Sequence, residues 1–215
     1  MSLKLYMHPL SSFCQKAVVA FYENATPFEP VLIDLGDEAS RAELLKLWPL
    51  GKFPVLRDEA RDWTVPESSI IIEYLDQHYP GAARLVPKDA DPARQVRMRD
   101  RFFDLHVQVP MQKIMDDARR RPDSKDPDGV RQAEAALRTA YAMIDQDMAA
   151  RTWAIGEAFS MADCAAAPAL FYANRAAPIG EAHRHVRAYL DRLMARPSYA
   201  RVLDEARPYF SMLPK

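Results

Sequence analysis

Cysteine is scarce in this sequence, and a net charge is nearly absent. Among 215 residues there are two cysteines, Cys14 and Cys164, which lie far apart in dissimilar surroundings. A disulfide framework is therefore not expected, and two free thiols suit a reducing, cytoplasmic compartment. Lysine and arginine number 29 against 30 aspartates and glutamates, so the net charge of −1 predicts binding neither to nucleic acid nor to anionic membranes.

Several sequence motifs are missing as well. There is no P-loop, no G-x-G-x-x-G and no G-x-S-x-G nucleophile elbow. No apolar run reaches the roughly 18 residues of a membrane-spanning helix, and the N-terminus lacks the layout of a signal peptide. His183 and His185 point to different faces of a helix, and no cysteine pair or acidic residue with histidine completes a zinc site. We therefore expect no metal.

The composition is that of a globular protein, with 49% hydrophobic and 27% charged residues. Short β-like runs alternate with helical patterns up to residue 80, at 3–7, 12–24, 28–35, 38–48, 53–58, 62–66 and 67–79. The order β-α-β-α-β-β-α predicts a parallel pair, a hairpin at the sheet edge and a thioredoxin-like topology.

A connector rich in proline, glycine and polar residues follows, and only helical patterns come after it, at 92–120, 128–150, 160–176, 183–195 and 198–207. The sequence therefore predicts an α/β domain at 1–80, a linker at 81–91 and an all-α helical bundle at 92–215.

The stretch Ser11-Ser12-Phe13-Cys14 has the spacing of a redox C-x-x-C motif with serine in place of the first cysteine. It begins a helix, where unpaired N–H groups and a partial positive charge favour anions. Lowering a thiol pKa by one to two units needs about 1.4 to 2.7 kcal/mol, which a charge-assisted hydrogen bond and a helix end can supply. A serine here suits stabilisation of a ligand thiolate. The alternative is that Ser11 or Ser12 only caps the helix.

Cys14 has two interpretations. The same helix end could lower the pKa of its thiol and make it redox-active. Alternatively, Cys14 is a partly buried structural thiol in the first helical turn, which is the interpretation we favour.

Two further stretches indicate ligand binding. Pro54 stands at the start of the third strand, where a cis bond would turn the backbone of Phe53 toward a pocket. Glu67 and Ser68 begin an apolar helix, where a hydroxyl and backbone N–H groups can hold a carboxylate while Glu67 holds an ammonium group. The alternatives are an ordinary trans proline and a helix N-terminus of common composition.

Together the stretches 11–14, 51–56 (Gly-Lys-Phe-Pro-Val-Leu) and 66–70 (Pro-Glu-Ser-Ser-Ile) resemble the glutathione-binding signature of the cytosolic glutathione S-transferase superfamily. Residues 158–170 resemble the helix-capping motif of its all-α domain, in which Ser160 is the N-cap and Asp163 reaches back to it. The resemblance spans essentially the whole chain, and the serine corner is similar to that of serine-type, bacterial-like members.

The resemblance implies glutathione as co-substrate and a role for each matching residue. Ser11, with Ser12 left open, would stabilise the thiolate, and Phe53 before Pro54 would pair with the cysteinyl part. Lys52 would lie near the glycyl carboxylate, and Glu67 with Ser68 would hold the γ-glutamyl head.

The resemblance also implies a second-substrate pocket and a subunit interface. The pocket would be walled by the helix containing Pro110, where we expect a kink, with Phe102, His106 and Met111 as candidates. A homodimer is expected, with the helical face of Arg94, Arg97 and Arg101 at its salt-bridged interface.

The reaction implied is the conjugation of the glutathione sulfur to small hydrophobic electrophiles, a detoxification activity. Alternatives on the same site are glutathione-dependent isomerisation, dehalogenation and thiol-disulfide reduction through Cys14. A non-enzymatic stress-response interaction protein of the same fold is the other alternative.

Overall fold

A four-stranded sheet forms the N-terminal half of the computed structural model, which describes residues 2–214. Its strands are β1 (Leu3–Met7), β2 (Glu29–Leu32), β3 (Val55–Asp58) and β4 (Trp63–Pro66), in the spatial order β2-β1-β3-β4. β1 and β2 are parallel, and the other two pairs are antiparallel. Helices α1 (Ser12–Glu23), α2 (Glu38–Leu47) and α3 (Ser68–His78) complete this half. The predicted element order and thioredoxin-like topology are confirmed.

Both faces of this sheet are covered because β1 alternates between two apolar faces. Leu3 and Leu5 belong to the main core with the buried sides of α1 and α3. Tyr6 points the other way and packs with Ile33 and with Leu44 of α2. The end of β1 therefore leads directly into the buried helix α1, and this junction holds the serine corner.

The C-terminal half is helical, as predicted. Among the described residues its only β pairing is a bridge between Trp153 and Gly156. None of the helices in the described part of the chain is long and apolar enough to cross a membrane. The elements are α4 (Ala90–Phe102), a π-helical segment (Phe103–Gln108), α5 (Val109–Arg119), a 3₁₀ turn (Pro122–Ser124), α6 (Pro127–Met148), α7 (Met161–Ala176), α8 (Arg184–Ala195), α9 (Pro197–Ala206) and a second 3₁₀ segment (Arg207–Met212).

The predicted single helix over 92–120 is wrong in one respect, because a π-helical segment divides it. The N–H of Val109 donates to the carbonyl of Asp104, five residues back, just before Pro110, which has no N–H to donate. Leu105 and Val109 are 44% and 54% exposed. The buried apolar residues of this segment are instead Phe103 and Val107.

The core of the helical half is α7, whose first turn carries the predicted capping motif. The N–H and the hydroxyl of Ser160 both donate to Oδ2 of Asp163 at 2.9 Å. Oδ1 of the same carboxylate accepts from the N–H of Ala154 at 2.8 Å and the hydroxyl of Tyr189 at 2.6 Å. Asp163 therefore ties the start of α7 to the preceding loop and to α8.

A buried lysine joins the two halves. Nζ of Lys16 on α1 lies 2.7 Å from Asp100 and 2.8 Å from Asp104. It also donates to Oγ of Ser69 at 2.8 Å, and that hydroxyl donates to Asp100 at 2.7 Å. The Lys16 cluster, defined as these four residues, links α1 and α3 to the helical half.

Candidate functional site

The serine corner caps α1 and keeps a proton to donate. Ser11 is the N-cap residue, and its Oγ accepts a hydrogen bond from the N–H of Cys14 at 3.3 Å. Its own N–H donates to the carbonyl of His8 at 3.0 Å. An oxygen that accepts in this way retains its hydroxyl proton. The capping role and the thiolate-stabilising role proposed for Ser11 are therefore compatible.

Cys14 is fully buried on the inner side of α1. Burial raises the pKa of its thiol to about 12, although hydrogen bonding with Ser11 acts in the opposite direction. The thiol is consequently neutral at physiological pH and inaccessible to a substrate. These properties are those of a structural cysteine.

The predicted glutathione-binding residues come together around a small cavity of about 160 Å³. Its walls contain all five of them and two aromatic residues that sequence reasoning gave no ligand role. The peptide bond between Phe53 and Pro54 is cis, as predicted. The lining consists of Phe13, Trp48, Lys52, Phe53, Pro54, Glu67 and Ser68.

One end of this cavity is the N-terminus of α3. Glu67 is its N-cap residue, at φ 70°, and its side chain makes no capping hydrogen bond. The first N–H groups of the helix are therefore left without that partner, next to the buried Ser68. Lys52 and Glu67 bring one charge of each sign to the same wall. The cavity can thus hold a ligand that has both carboxylate and ammonium groups.

A larger cavity of about 480 Å³ adjoins the serine corner. It shares Phe13 and Phe53 with the small cavity, so these two rings separate the two spaces. The remaining lining combines leucine and methionine side chains with polar ones and comes from both halves of the chain. It consists of His8, Leu10, Ser11, Ser12, Leu35, Gln108, Met111, Gln112, Met115, Arg119, Tyr172, Met212 and Leu213.

His8 is a neutral aromatic wall of this cavity. Burial lowers the pKa of its imidazole, and its ring lies 5.2 Å from that of Tyr209 and 6.5 Å from that of Phe53. Its Nδ1 accepts from the N–H of Leu10 at 3.2 Å, which fixes the loop before Ser11.

Of the three residues predicted for a second-substrate pocket, Met111 lines the larger cavity and the other two do not. Phe102 is buried against Phe103, and His106 is exposed. The π-helical segment lies between Phe102 and Met111 and changes which side chains face inward. Gln108 and Tyr172, which sequence reasoning missed, take their places. A polar residue on the buried face of a helix gives no sequence signal that separates a cavity wall from ordinary packing.

No metal centre is formed by the described residues 2–214. They contain no group of three or more His, Cys, Asp or Glu side chains that could hold an ion.

Comparisons with known proteins agree with this geometry. The glutathione S-transferase N-terminal domain family matches residues 5–83, and the C-terminal domain family matches residues 102–197. The chain is 26% identical to a stringent starvation protein A homolog of Haemophilus influenzae, covering 96% of this chain and 92% of that protein. It is also 26% identical to glutathione S-transferase hmp2 of Hypomyces subiculosus, covering 96% and 100% of the two chains.

A solved structure shows the same fold with a ligand. The glutathione S-transferase of Methylobacillus flagellatus, crystallised with glutathione bound, is 25% identical and superposes with a TM-score of 0.85. The match covers 94% of this chain and 98% of that one. By both of its domains and by its fold, the chain belongs to the cytosolic glutathione S-transferase superfamily.

Proposed function

We propose that the protein is a glutathione transferase that conjugates the glutathione sulfur to small hydrophobic electrophiles. The observation that carries the proposal is the position of Ser11. Ser11 lies at a helix N-terminus, in the wall of the larger cavity, which leucine and methionine side chains also line. That cavity shares Phe13 and Phe53 with a second one whose charged groups suit a tripeptide.

Glutathione would occupy the small cavity and extend its sulfur toward Ser11. Its γ-glutamyl carboxylate suits the uncapped N-terminus of α3 at Ser68, and its ammonium group suits Glu67. Its glycyl carboxylate suits Lys52. The backbone of Phe53, before Pro54, would pair with the cysteinyl part, in the way an extended peptide adds to a strand.

Ser11 would then lower the pKa of the bound thiol. Its hydroxyl donates to the sulfur, and the end of α1 adds a favourable field. The thiol proton leaves to solvent, and the thiolate attacks an electrophile held in the larger cavity. Catalysis consists of activating the nucleophile and bringing the two reactants together.

Thiol-disulfide reduction through Cys14 has little support. The thiol lines neither cavity, and its raised pKa keeps it protonated. A non-enzymatic interaction protein is the second candidate, because the similarity to stringent starvation protein A homologs spans nearly the whole chain. Their name refers to starvation and to no transferase reaction. Glutathione binding and turnover separate the two candidates.

The test is calorimetric titration with glutathione, followed by conjugation assays with a panel of electrophiles. The wild type is expected to bind glutathione and to show thiolate absorbance near neutral pH. Ser11→Ala is expected to keep glutathione binding, to lose most of the thiolate absorbance and to recover turnover at alkaline pH. Ser12→Ala is the matched control. A wild type that does not bind glutathione would contradict the proposal.

We also propose a cytosolic homodimer. Arg94 pairs with Asp91 at 2.6 Å, and Arg97 pairs with Glu73 at 2.7 Å, both within the chain. These arginines have partners without a second subunit. The proposal rests instead on apolar side chains near β4 and α3 that lie open to solvent, Trp63 and Ile70, which are 55% and 53% exposed.

A further inference from the structure

The orientation of one buried carboxamide decides the hydrogen-bond role of Tyr172. Gln15, on α1, is 1% exposed. Its Nε2 donates to the backbone carbonyl of Pro9 at 2.7 Å, and a carbonyl can only accept. Its Oε1 accepts from the hydroxyl of Tyr199 at 3.3 Å. The amide nitrogen of Gln15 must therefore face Pro9, and its oxygen must face Tyr199.

This orientation forces the hydroxyl of Tyr172 to accept. Nε2 of Gln15 lies 3.0 Å from the Tyr172 oxygen and donates its second proton to it. The proton of the Tyr172 hydroxyl then has no acceptor in this chain of hydrogen bonds, which runs from Tyr199 through Gln15 to Tyr172. A hydroxyl that accepts one hydrogen bond is polarised and becomes a better donor of its own.

The free proton belongs to a residue of the cavity wall. Tyr172 lines the larger cavity together with Ser11. Burial raises the pKa of Tyr172 to about 12, so the hydroxyl keeps its proton across the working pH range. A ligand that brings an acceptor oxygen into the cavity would give this proton its partner.

We propose that Tyr172 is a catalytic hydrogen-bond donor to the carbonyl oxygen of the electrophile, and that the preferred substrates are neutral α,β-unsaturated carbonyl compounds. The inference rests on the proposed transferase function and specifies its substrate class. The cation of this wall, Arg119, already pairs with Asp116 at 3.3 Å. The Tyr172 hydroxyl is neutral and donates one hydrogen bond, which suits one neutral acceptor oxygen, because a buried donor gains most from an acceptor that water does not reach.

Addition of the thiolate to such a substrate develops negative charge on the carbonyl oxygen, which is the atom that the Tyr172 hydroxyl would contact. The glutathione sulfur forms a bond to the β-carbon, and the electron pair of the carbon–carbon double bond moves to give an enolate. The negative charge of the enolate resides largely on the carbonyl oxygen, which Tyr172 stabilises by its hydrogen bond without giving up the proton. Solvent then protonates the α-carbon and returns the proton that the thiol released on binding.

The test compares two electrophiles on the same enzyme. Cyclohexenone requires an oxygen donor in this mechanism, and iodomethane does not, because iodide leaves directly and no carbonyl oxygen is present. Tyr172→Phe is expected to lower kcat/KM for cyclohexenone by about 100-fold, the size found for removal of one such donor. Turnover of iodomethane, glutathione affinity and the thiolate absorbance are expected to stay within about twofold.

Tyr141→Phe is the matched control. Tyr141 is equally buried and donates to the carbonyl of Ala177 at 3.0 Å, but it lines neither cavity. It is expected to leave the ratio of the two activities unchanged. Site-specific 3-fluorotyrosine at position 172, a stronger donor that keeps every contact, is expected to raise the cyclohexenone rate selectively.

The outcomes separate this inference from the function beneath it. Equal losses on both electrophiles for Tyr172→Phe, or no loss on either, would overturn the role of Tyr172 while leaving the transferase function intact. If Tyr172→Phe does not fold, an unchanged activity ratio in the fluorotyrosine enzyme overturns it. A wild type that neither binds glutathione nor turns over iodomethane would overturn the proposed function and this role with it.

Discussion

At the scale of single residues, a Cys14 variant distinguishes conjugation through the glutathione sulfur from thiol-disulfide reduction through Cys14, which the sequence leaves open. We expect Cys14→Ala to retain conjugation activity within about twofold, because the thiol is buried and protonated. The lost sulfur leaves a small cavity in the core, so the free energy of unfolding should fall by about 1 kcal/mol. Activity with several electrophiles and denaturant-induced unfolding measure the two effects. Loss of all activity in a folded variant would favour the thiol-disulfide alternative.

The pKa of Cys14 also predicts a pH dependence of stability. Because the folded-state pKa is raised, the folded protein holds a proton that the unfolded chain releases above about 8.5. The contribution of Cys14 is therefore complete below that pH and declines as the pH rises toward 12. The difference in the free energy of unfolding between the wild type and Cys14→Ala should therefore become smaller between pH 8.5 and 10. A difference that stays constant would show that the thiol is not buried as described.

Much of the candidate site could be predicted from the sequence. The residues that could not be predicted, such as Tyr172, were missed for a physical reason. Lys52 lies just before the start of a strand, and Glu67 and Ser68 lie at the start of a helix. Both starts are recognisable from the local sequence. Tyr172 lies on α7, and its contact with Gln15 spans 157 residues. No local pattern in the sequence indicates that contact, because helical periodicity reports that a residue is buried and not which residue it touches.

At the scale of elements, the carboxylate of Asp163 holds α7 in place. It accepts four hydrogen bonds from groups that are buried with it. Asp163→Ala should lower the free energy of unfolding by about 3 kcal/mol or more, because unpaired buried donors cost about 1–3 kcal/mol each and do not add fully. Ser160→Ala removes only the hydroxyl contact and keeps the backbone N–H that donates to Asp163, so it should cost about 1 kcal/mol. Chemical denaturation measures both variants. If each lost the same small amount of the free energy of unfolding, this role of Asp163 would be contradicted.

The segment around Pro110 explains why one element was only partly predictable. The spacing of apolar residues over 92–120 fits a continuous helix, but the structure inserts a π-helical segment from Phe103 to Gln108. One added residue per turn shifts the inward face, so Leu105 and Val109 become exposed while Met111 reaches the cavity. The sequence shows the proline but not how the preceding carbonyl groups are satisfied.

At the scale of the whole molecule, the Lys16 cluster makes the two halves interdependent. Lys16 is 1% exposed and pairs with two buried carboxylates. Lys16→Met should lower the free energy of unfolding by about 3–5 kcal/mol, because it leaves buried charges without a partner. Lys4→Met is the control, since the Lys4–Glu59 pair is partly exposed and should change stability little.

The loss in Lys16→Met should also depend on pH. Burial already raises the pKa of Asp104, and without the lysine this carboxyl group should favour the protonated state still more. A carboxyl with a raised folded pKa stabilises the fold at low pH and loses that contribution as the pH rises. The difference in the free energy of unfolding between the wild type and Lys16→Met should therefore widen from about pH 4, the usual range of aspartate, to neutrality. A difference that is independent of pH would mean that the protonation of Asp104 does not depend on Lys16.

The surface beside β4 and α3 argues for a second subunit. Trp63 and Ile70 line a groove of about 790 Å³ in which the ion pair of Arg97 with Glu73 also lies. An exposed apolar patch rimmed by charges is typical of protein interfaces. Sedimentation should therefore give about twice the chain mass of 24.5 kDa.

A charge placed in that groove should separate the subunits. Trp63→Glu is expected to give a folded monomer, because an unpaired carboxylate buried between two apolar surfaces is costly. Leu50→Glu, at a 67% exposed position outside the groove, should leave the mass unchanged and so controls for added charge. Circular dichroism of Trp63→Glu must match the wild type for the result to count. A wild type that sediments as a monomer, or a Trp63→Glu variant that remains a dimer, would mean that this groove does not bind a second copy.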